Sequence, residues 1–392
     1  MHQRILQLIF ITVFVSGCVS NDTPSDTLEK VETTNYTWYR DLGYEKNAIE
    51  IPFNHQGKPL SYYTFQVYGD TLYLHDQNGN VVLLFNWRSN SHLGSISLAH
   101  LVNKNGSFPG KVHNALIIGR DSIMVVQDYR LVLVNGNGDL LNEWKTEDPD
   151  VEDVQFGHGQ WYSNFPIVFK PQGKVYMQRM HAACGGENFA QCPEYSVESV
   201  FDITTGSFDT LPIKFSSLYK TRNYGQHREI SRVEVDGNHI FSFESDPNLY
   251  KLNLQTEKID VVNAQSKFQV GDTLYRTYEK EMEMQEILDM YMRSHQYVGL
   301  WYDPYQNLIF RFFKAQQPLI NENDEFNGIS DKELYLMVFN SDLQLLGEIH
   351  VGTTYLPWAF VTPEGFMVSK MSPNNKEYDE TSLLFDGFKI IQ

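Results

Sequence analysis

Apolar and polar residues alternate with a period of two along most of this chain, in short runs broken by Gly, Pro, Asn and Asp. That period puts successive side chains on opposite faces of a strand, so the runs predict half-buried β-strands. From about residue 60 the runs recur in one order: two joined by a tight turn, then a third, then a short fourth. Ala115-Leu116-Ile117-Ile118 turns at Gly119-Arg120-Asp121 into Ile123-Met124-Val125-Val126. Val233-Glu234-Val235 turns at Asp236-Gly237-Asn238 into Ile240-Phe241-Ser242-Phe243. Comparable pairs start near residues 62, 167, 298 and 358. Third runs follow at 81–86, 131–135, 197–202, 249–254, 334–340 and 382–386. Fourth runs follow at 140–144, 208–213, 259–262 and 345–349.

Six sequential, hairpin-connected units predict an all-β fold, a six-bladed β-propeller of four-stranded antiparallel blades. Two packed sandwiches are the alternative, and they would need long crossovers that the spacing does not show. Residues 48–53 (AIEIPF) have strand character and are expected to close the ring by adding to the last blade. One segment, 277–297, reads instead as a helix, acidic at its start and basic at its end.

Connections within the hairpins are short. The long ones, at 147–164, 178–196, 216–230, 263–295 and 314–332, all join second to third strands or one blade to the next. In a propeller those two classes emerge on the same face, which is therefore expected to carry a crown of loops. Candidate binding residues there are His158, Trp161 and His181 from the loops, with Arg232, Tyr297 and Trp358 at the channel mouth, where Asn114 also falls. Aromatic, Arg and His side chains around a concave site suit stacking on sugars or holding an anion.

Composition narrows the partners. The chain has 392 residues, 49 acids against 31 bases, and a net charge of −18, which argues against nucleic acid. An apolar share of 42% excludes global disorder. The first residues, MHQRILQLIFITVFVSGC, join one Arg to a short apolar run and then Val15-Ser16-Gly17-Cys18. This resembles a bacterial lipobox. It predicts a signal peptide over 1–17, a lipidated Cys18 opening a flexible tether over 18–46, and one propeller domain over 47–392. A plain secretory signal is the alternative. Cys184 and Cys192 then lie in an oxidising compartment, and a disulfide is expected between them. A zinc site using both and His181 is the sharper alternative.

No nucleophile elbow, zinc-protease helix or phosphate loop is present. No catalytic residue or metal ligand is assigned, and no cofactor is expected beyond the lipid on Cys18. The reading is a lipid-anchored outer-membrane protein of the cell envelope that binds protein, peptide or glycan. The alternative is a channel-centred hydrolase or lyase acting on carbohydrate.

The lipobox, the acidic tether, six irregular blades and the stretch from His295-Gln296-Tyr297 through Tyr302-Asp303-Pro304-Tyr305 to Arg311 together resemble a domain-of-unknown-function family of propeller lipoproteins from Bacteroidota. The resemblance spans roughly residues 30–392. It implies the propeller fold and an envelope location, and it brings no catalytic residues.

Overall fold

The computed structural model describes residues 42–391, apart from 54–62, 77–78, 103–111, 113, 120, 128–129, 146–153, 157–165, 167, 182–183, 185–188, 226–227, 279–282 and 379–380. Strand β1 (Tyr44–Pro52) comes first. Blade I follows with β2 (Tyr63–Tyr68), β3 (Thr71–Asp76), β4 (Val81–Asn86) and β5 (Ser91–Ser97), then the short helix α1 (Ala99–Val102). Blade II is β6 (Asn114–Gly119), β7 (Ser122–Gln127), β8 (Arg130–Val134) and β9 (Leu140–Lys145). Blade III is β10 (Val154–Phe156), β11 (Val168–Phe169), β12 (Lys174–His181), β13 (Glu198–Asp202) and β14 (Phe208–Thr210). Blade IV is β15 (Ile230–Val235), β16 (Asn238–Phe243), β17 (Asn248–Asn253) and β18 (Ile259–Asn263), then helix α2 (Met284–Arg293). Blade V is β19 (Gln296–Asp303), β20 (Leu308–Lys314), β21 (Leu334–Asn340) and β22 (Leu345–His350). Blade VI has β23 (Ala359–Thr362), β24 (Gly365–Ser369) and β25 (Ser382–Ile390), with β1 added outside β25.

These six antiparallel sheets make the expected six-bladed β-propeller. The hairpin turns show why the local sequence folds this way. Asp236 and Gly237 both take positive φ, 48° and 74°, the backbone that a two-residue turn between twisted strands needs.

The apolar core is six seams between blades, with no single centre. Each cluster of buried side chains draws on two adjacent blades. One seam joins Val125 and Val132 of blade II to Tyr73 and Val82 of blade I. Another joins Phe310 and Phe312 of blade V to Phe366 and Val368 of blade VI, with the Phe310 and Phe366 rings stacked 4.3 Å apart. Blades are buried on both faces, which explains the nearly continuous apolar run of β20 and the burial of β16 from end to end.

Ring closure follows the expected route. β1 pairs antiparallel with β25 from Tyr44↔Ile390 to Pro52↔Ser382. Its Ile49 and Ile51 enter the seam between blades VI and I beside Leu72, Leu74 and Phe385. The strand starts at Tyr44, ahead of the expected residue 48, because its exposed first half is held by backbone pairing and by the Lys46–Asp386 ion pair at 2.7 Å.

Three elements differ from the sequence reading. Blade I has a fourth strand, β5, that the pattern does not reveal, since this outer strand is mostly exposed and its sequence SHLGSIS does not alternate. Blade III has a divided first position: β10, inside the expected loop 147–164, and β11 both pair with β12. Helix α2 covers only the later part of 277–297. Its N-cap Glu283 and Glu286 form a capping box, and β19 begins at Gln296. Met290 and Met292 are its buried residues and pack it down, while Met284 is exposed.

Ile51 is fully buried at the closing seam and Glu50 beside it is exposed. Ile51→Ala is expected to lower the unfolding free energy by about 2–5 kcal/mol in urea melts, and Glu50→Ala by less than about 0.5 kcal/mol. Equal small losses would show that β1 does not hold the ring.

Candidate functional site

Strand β20 reads LIFRFFK. Its alternation sends Leu308, Phe310 and Phe312 to the seam with blade VI, and Ile309 and Phe313 to the seam with blade IV. Arg311 is the one charge inside that run. Its guanidinium is fully buried and reaches across to blade IV, donating to the carbonyls of Pro247 and Asp246, each at 2.7 Å. It also lies 3.9 Å over the Tyr297 ring. Burial pulls its pKa down to about 10.

Lys314 ends the same strand at the loop-bearing face, opposite Gln296. Burial brings its pKa down to about 8, while the Glu229 and Glu244 carboxylates pull the other way. Lys332 approaches from the loop before β21 and is also buried. Its ammonium donates to the Tyr291 and Ser294 carbonyls at 2.7 and 2.6 Å, so it caps the C-terminus of α2. Burial, and then the Lys314 charge, hold its pKa well below the ordinary lysine range. On the facing blade, Glu244 accepts from the Glu229 amide at 3.1 Å, and its own carbonyl accepts from Tyr297 at 2.8 Å.

Lys314, Lys332, Ser330, Tyr355 and Leu356 line a narrow pocket with room for about one water molecule. A sugar or peptide does not fit inside it. This pocket therefore gives the hydrolase or lyase alternative no support.

A second buried polar group lies deeper, between blades III and IV. Glu198 is 3.1 Å from Arg232 Nη2 and accepts from His239 Nδ1 at 2.7 Å, and all three side chains have no exposed surface. Burial lowers the pKa of His239, while the Glu198 carboxylate pulls the other way. The Tyr176 ring meets His239 edge-on at 5.0 Å.

This changes the assignment of several candidates. Arg232 is not a channel-mouth ligand; it is sealed inside a seam as the partner of Glu198. Tyr297 is also closed off: its hydroxyl accepts from the Ser266 amide at 3.1 Å and donates to Gln269, under the Arg311 guanidinium. Trp358 is half-buried just before β23 and packs on the closing seam. Asn114 is buried at the start of β6. His181 is the last residue of β12 and pairs with Val154, and its side chain lies outside the description. His158 and Trp161 lie outside the described residues. A disulfide joins Cys184 to Cys192 and so removes both sulfurs from the alternative zinc site. Among the described residues, no three His, Cys, Asp or Glu side chains are grouped to hold a metal. Lys314, Lys332, Glu229, Glu244, Glu198 and His239 were not read as candidates. Only Arg311 and Lys314 carried a signal, as charges in an otherwise apolar strand.

Glu198→Gln leaves Arg232 buried without its counter-charge and is expected to cost about 3–5 kcal/mol in urea melts. The double variant Glu198→Leu/Arg232→Met should recover most of that, and a single-variant cost below about 1 kcal/mol would count against the clamp. Lys314 gives a pH signature. Its folded value near 8 lies below the ordinary 10.5, so between these pH values the unfolded state binds more protons and stability rises with pH. Lys314→Met should therefore be more stable than the parent at neutral pH, with the difference shrinking as pH rises from 8 to 10.5. A difference that stays constant would show an ordinary lysine.

The domain of unknown function DUF4221 matches residues 110–350. The comparison with curated proteins gives no match. A DUF4221 family member from Bacteroides vulgatus, known by crystal structure, superposes with a TM-score of 0.73 at 20% identity, covering 90% of this chain and 98% of the other. A candidate exported protein from Bacteroides fragilis superposes with a TM-score of 0.51 at 9% identity, covering 88% and 96%. Both likenesses concern the fold. Among the described residues, no helix is long and apolar enough to cross a membrane. With the family match over most of the ring and the same six-bladed architecture, the chain belongs to the DUF4221 family.

Proposed function

We propose that this protein is a lipid-anchored binding propeller of the cell envelope. Cys18 holds it to the outer membrane, and its loop-bearing face engages a protein, peptide or glycan. The observation that carries the reading is the asymmetry of the two faces. The long connections leave one face, and they expose large apolar side chains there: Val270, Tyr275, Met284 and Leu288 before β19, and Ile320, Phe326 and Ile329 before β21. Lys314, Lys332 and Tyr355 are buried beneath these loops, which supports a reading in which the loops do the binding. Exposed apolar residues on loops held by a rigid scaffold are the usual material of an interaction surface. Acyl chains on Cys18 would supply the stable anchoring that a single chain cannot.

The test is photocrosslinking in cells with the full chain. A crosslinking residue at Val270 or Leu288 should capture an envelope component, and one at Asn137 or Tyr305 on the opposite face should not. Capture from both faces alike would overturn the reading. In the same cells, fatty-acid labelling should disappear with Cys18→Ser; persistent labelling would remove the anchor from the proposal.

A further inference from the structure

The connection between β20 and β21 folds into a small hairpin of its own. Ile320 and Phe326 form an antiparallel bridge, and the Asn321 amide donates to the Glu325 carbonyl at 2.8 Å. The Asn321 side chain accepts from the Asn323 and Glu325 amides, each at 2.9 Å, so the tip is internally braced. Its root is fixed as well. The Gln317 amide donates to the Met292 carbonyl at 3.0 Å, its side chain to the Gly328 carbonyl at 3.1 Å, and Asn327 to the Pro318 carbonyl at 2.7 Å. Asn374 of blade VI bonds Asp331 at 2.8 Å.

On this braced hairpin Ile320 is 48% exposed, Phe326 68% and Ile329 42%. The bridge sets Ile320 and Phe326 directly opposite each other, where cross-strand neighbours share a face. Charge is one-sided too: residues 315–331 contain Glu322, Asp324, Glu325 and Asp331, and no Lys or Arg. An apolar pair presented rigidly inside an acidic rim loses little entropy on association, and it selects a partner of opposite charge.

We infer that this hairpin is a docking surface for a basic protein segment, rich in Lys or Arg and carrying an aromatic or aliphatic side chain that covers Ile320 and Phe326. The inference rests on the reading of the loop-bearing face as a binding surface and names the partner's chemistry. The acids steer the encounter and make it salt-sensitive; the apolar pair sets the residence time. A single hairpin buries less than a standard interface, so the complex is transient.

The experiment pans a displayed random-peptide library against the full chain purified in detergent, then measures the enriched peptides against variants. Enriched sequences should be rich in Lys or Arg with at least one Phe, Trp or Leu. Phe326→Ser should weaken them about tenfold or more. Both residues are exposed, so Ile320→Ser serves as an independent second variant. Glu322→Gln/Asp324→Asn/Glu325→Gln should slow association and flatten its salt dependence. Acidic or uncharged enriched sequences, unchanged affinity in the variants, or equally tight binding of polylysine would each overturn the inference. Self-association lost on Phe326→Ser would also overturn it, by assigning the surface to a second copy. Peptide binding that survives Phe326→Ser but fails on Val270→Ser would sink the hairpin and leave the proposed function standing.

Discussion

Each blade of this ring must bury two faces, and only its neighbours can cover them. That constraint governs the rest of the molecule. A sandwich can bury one face and wet the other, but here strands such as β16 and β20 are buried from end to end. The apolar clusters therefore fall between blades, and stability is passed around the circle from seam to seam. No seam is optional, because an open one exposes two apolar sheets at once.

Apolar seams say little about which blade belongs beside which. The buried polar groups do. Glu198 of blade III is matched by Arg232 and His239 of blade IV, and Arg311 of blade V finds its acceptors in the turn after β16 of blade IV. Any other pairing would strand a charge away from water, at a cost far above that of a slightly misfitted Val or Phe. These groups lie along blades III to V. Blade V also carries the buried Lys314 and Lys332 beside its loop-bearing edge.

Much of this was legible in the sequence and some was not, for physical reasons. The inner and middle strands showed themselves because burial imposes apolar alternation, and turns such as Asp236-Gly237 mark themselves by the backbone they require. The outer strand β5 did not, since solvent on its exposed surface permits any polar residue. β10 has only three residues, too few for a period. Among site residues, position along a strand was readable and burial was not: Arg232 and Tyr297 do lie near the starts of innermost strands, but they are buried in seams. Lys332 gave no sign at all, because its role depends on carbonyls of a helix about forty residues earlier in the chain.

The pairing of Tyr44 with Ile390 also has a meaning in time. The first strand described has no partner until the last has been made, and the loop they close takes in most of the chain, a highly non-local contact. Until then blade VI lacks its outer strand and blade I lacks its neighbour, leaving Leu72, Leu74 and Phe360 open to water. A chain of this design completes its ring only after β25 has been made. An arc that has not yet closed exposes the apolar surface of this seam, the kind of surface that makes incomplete folds prone to associate.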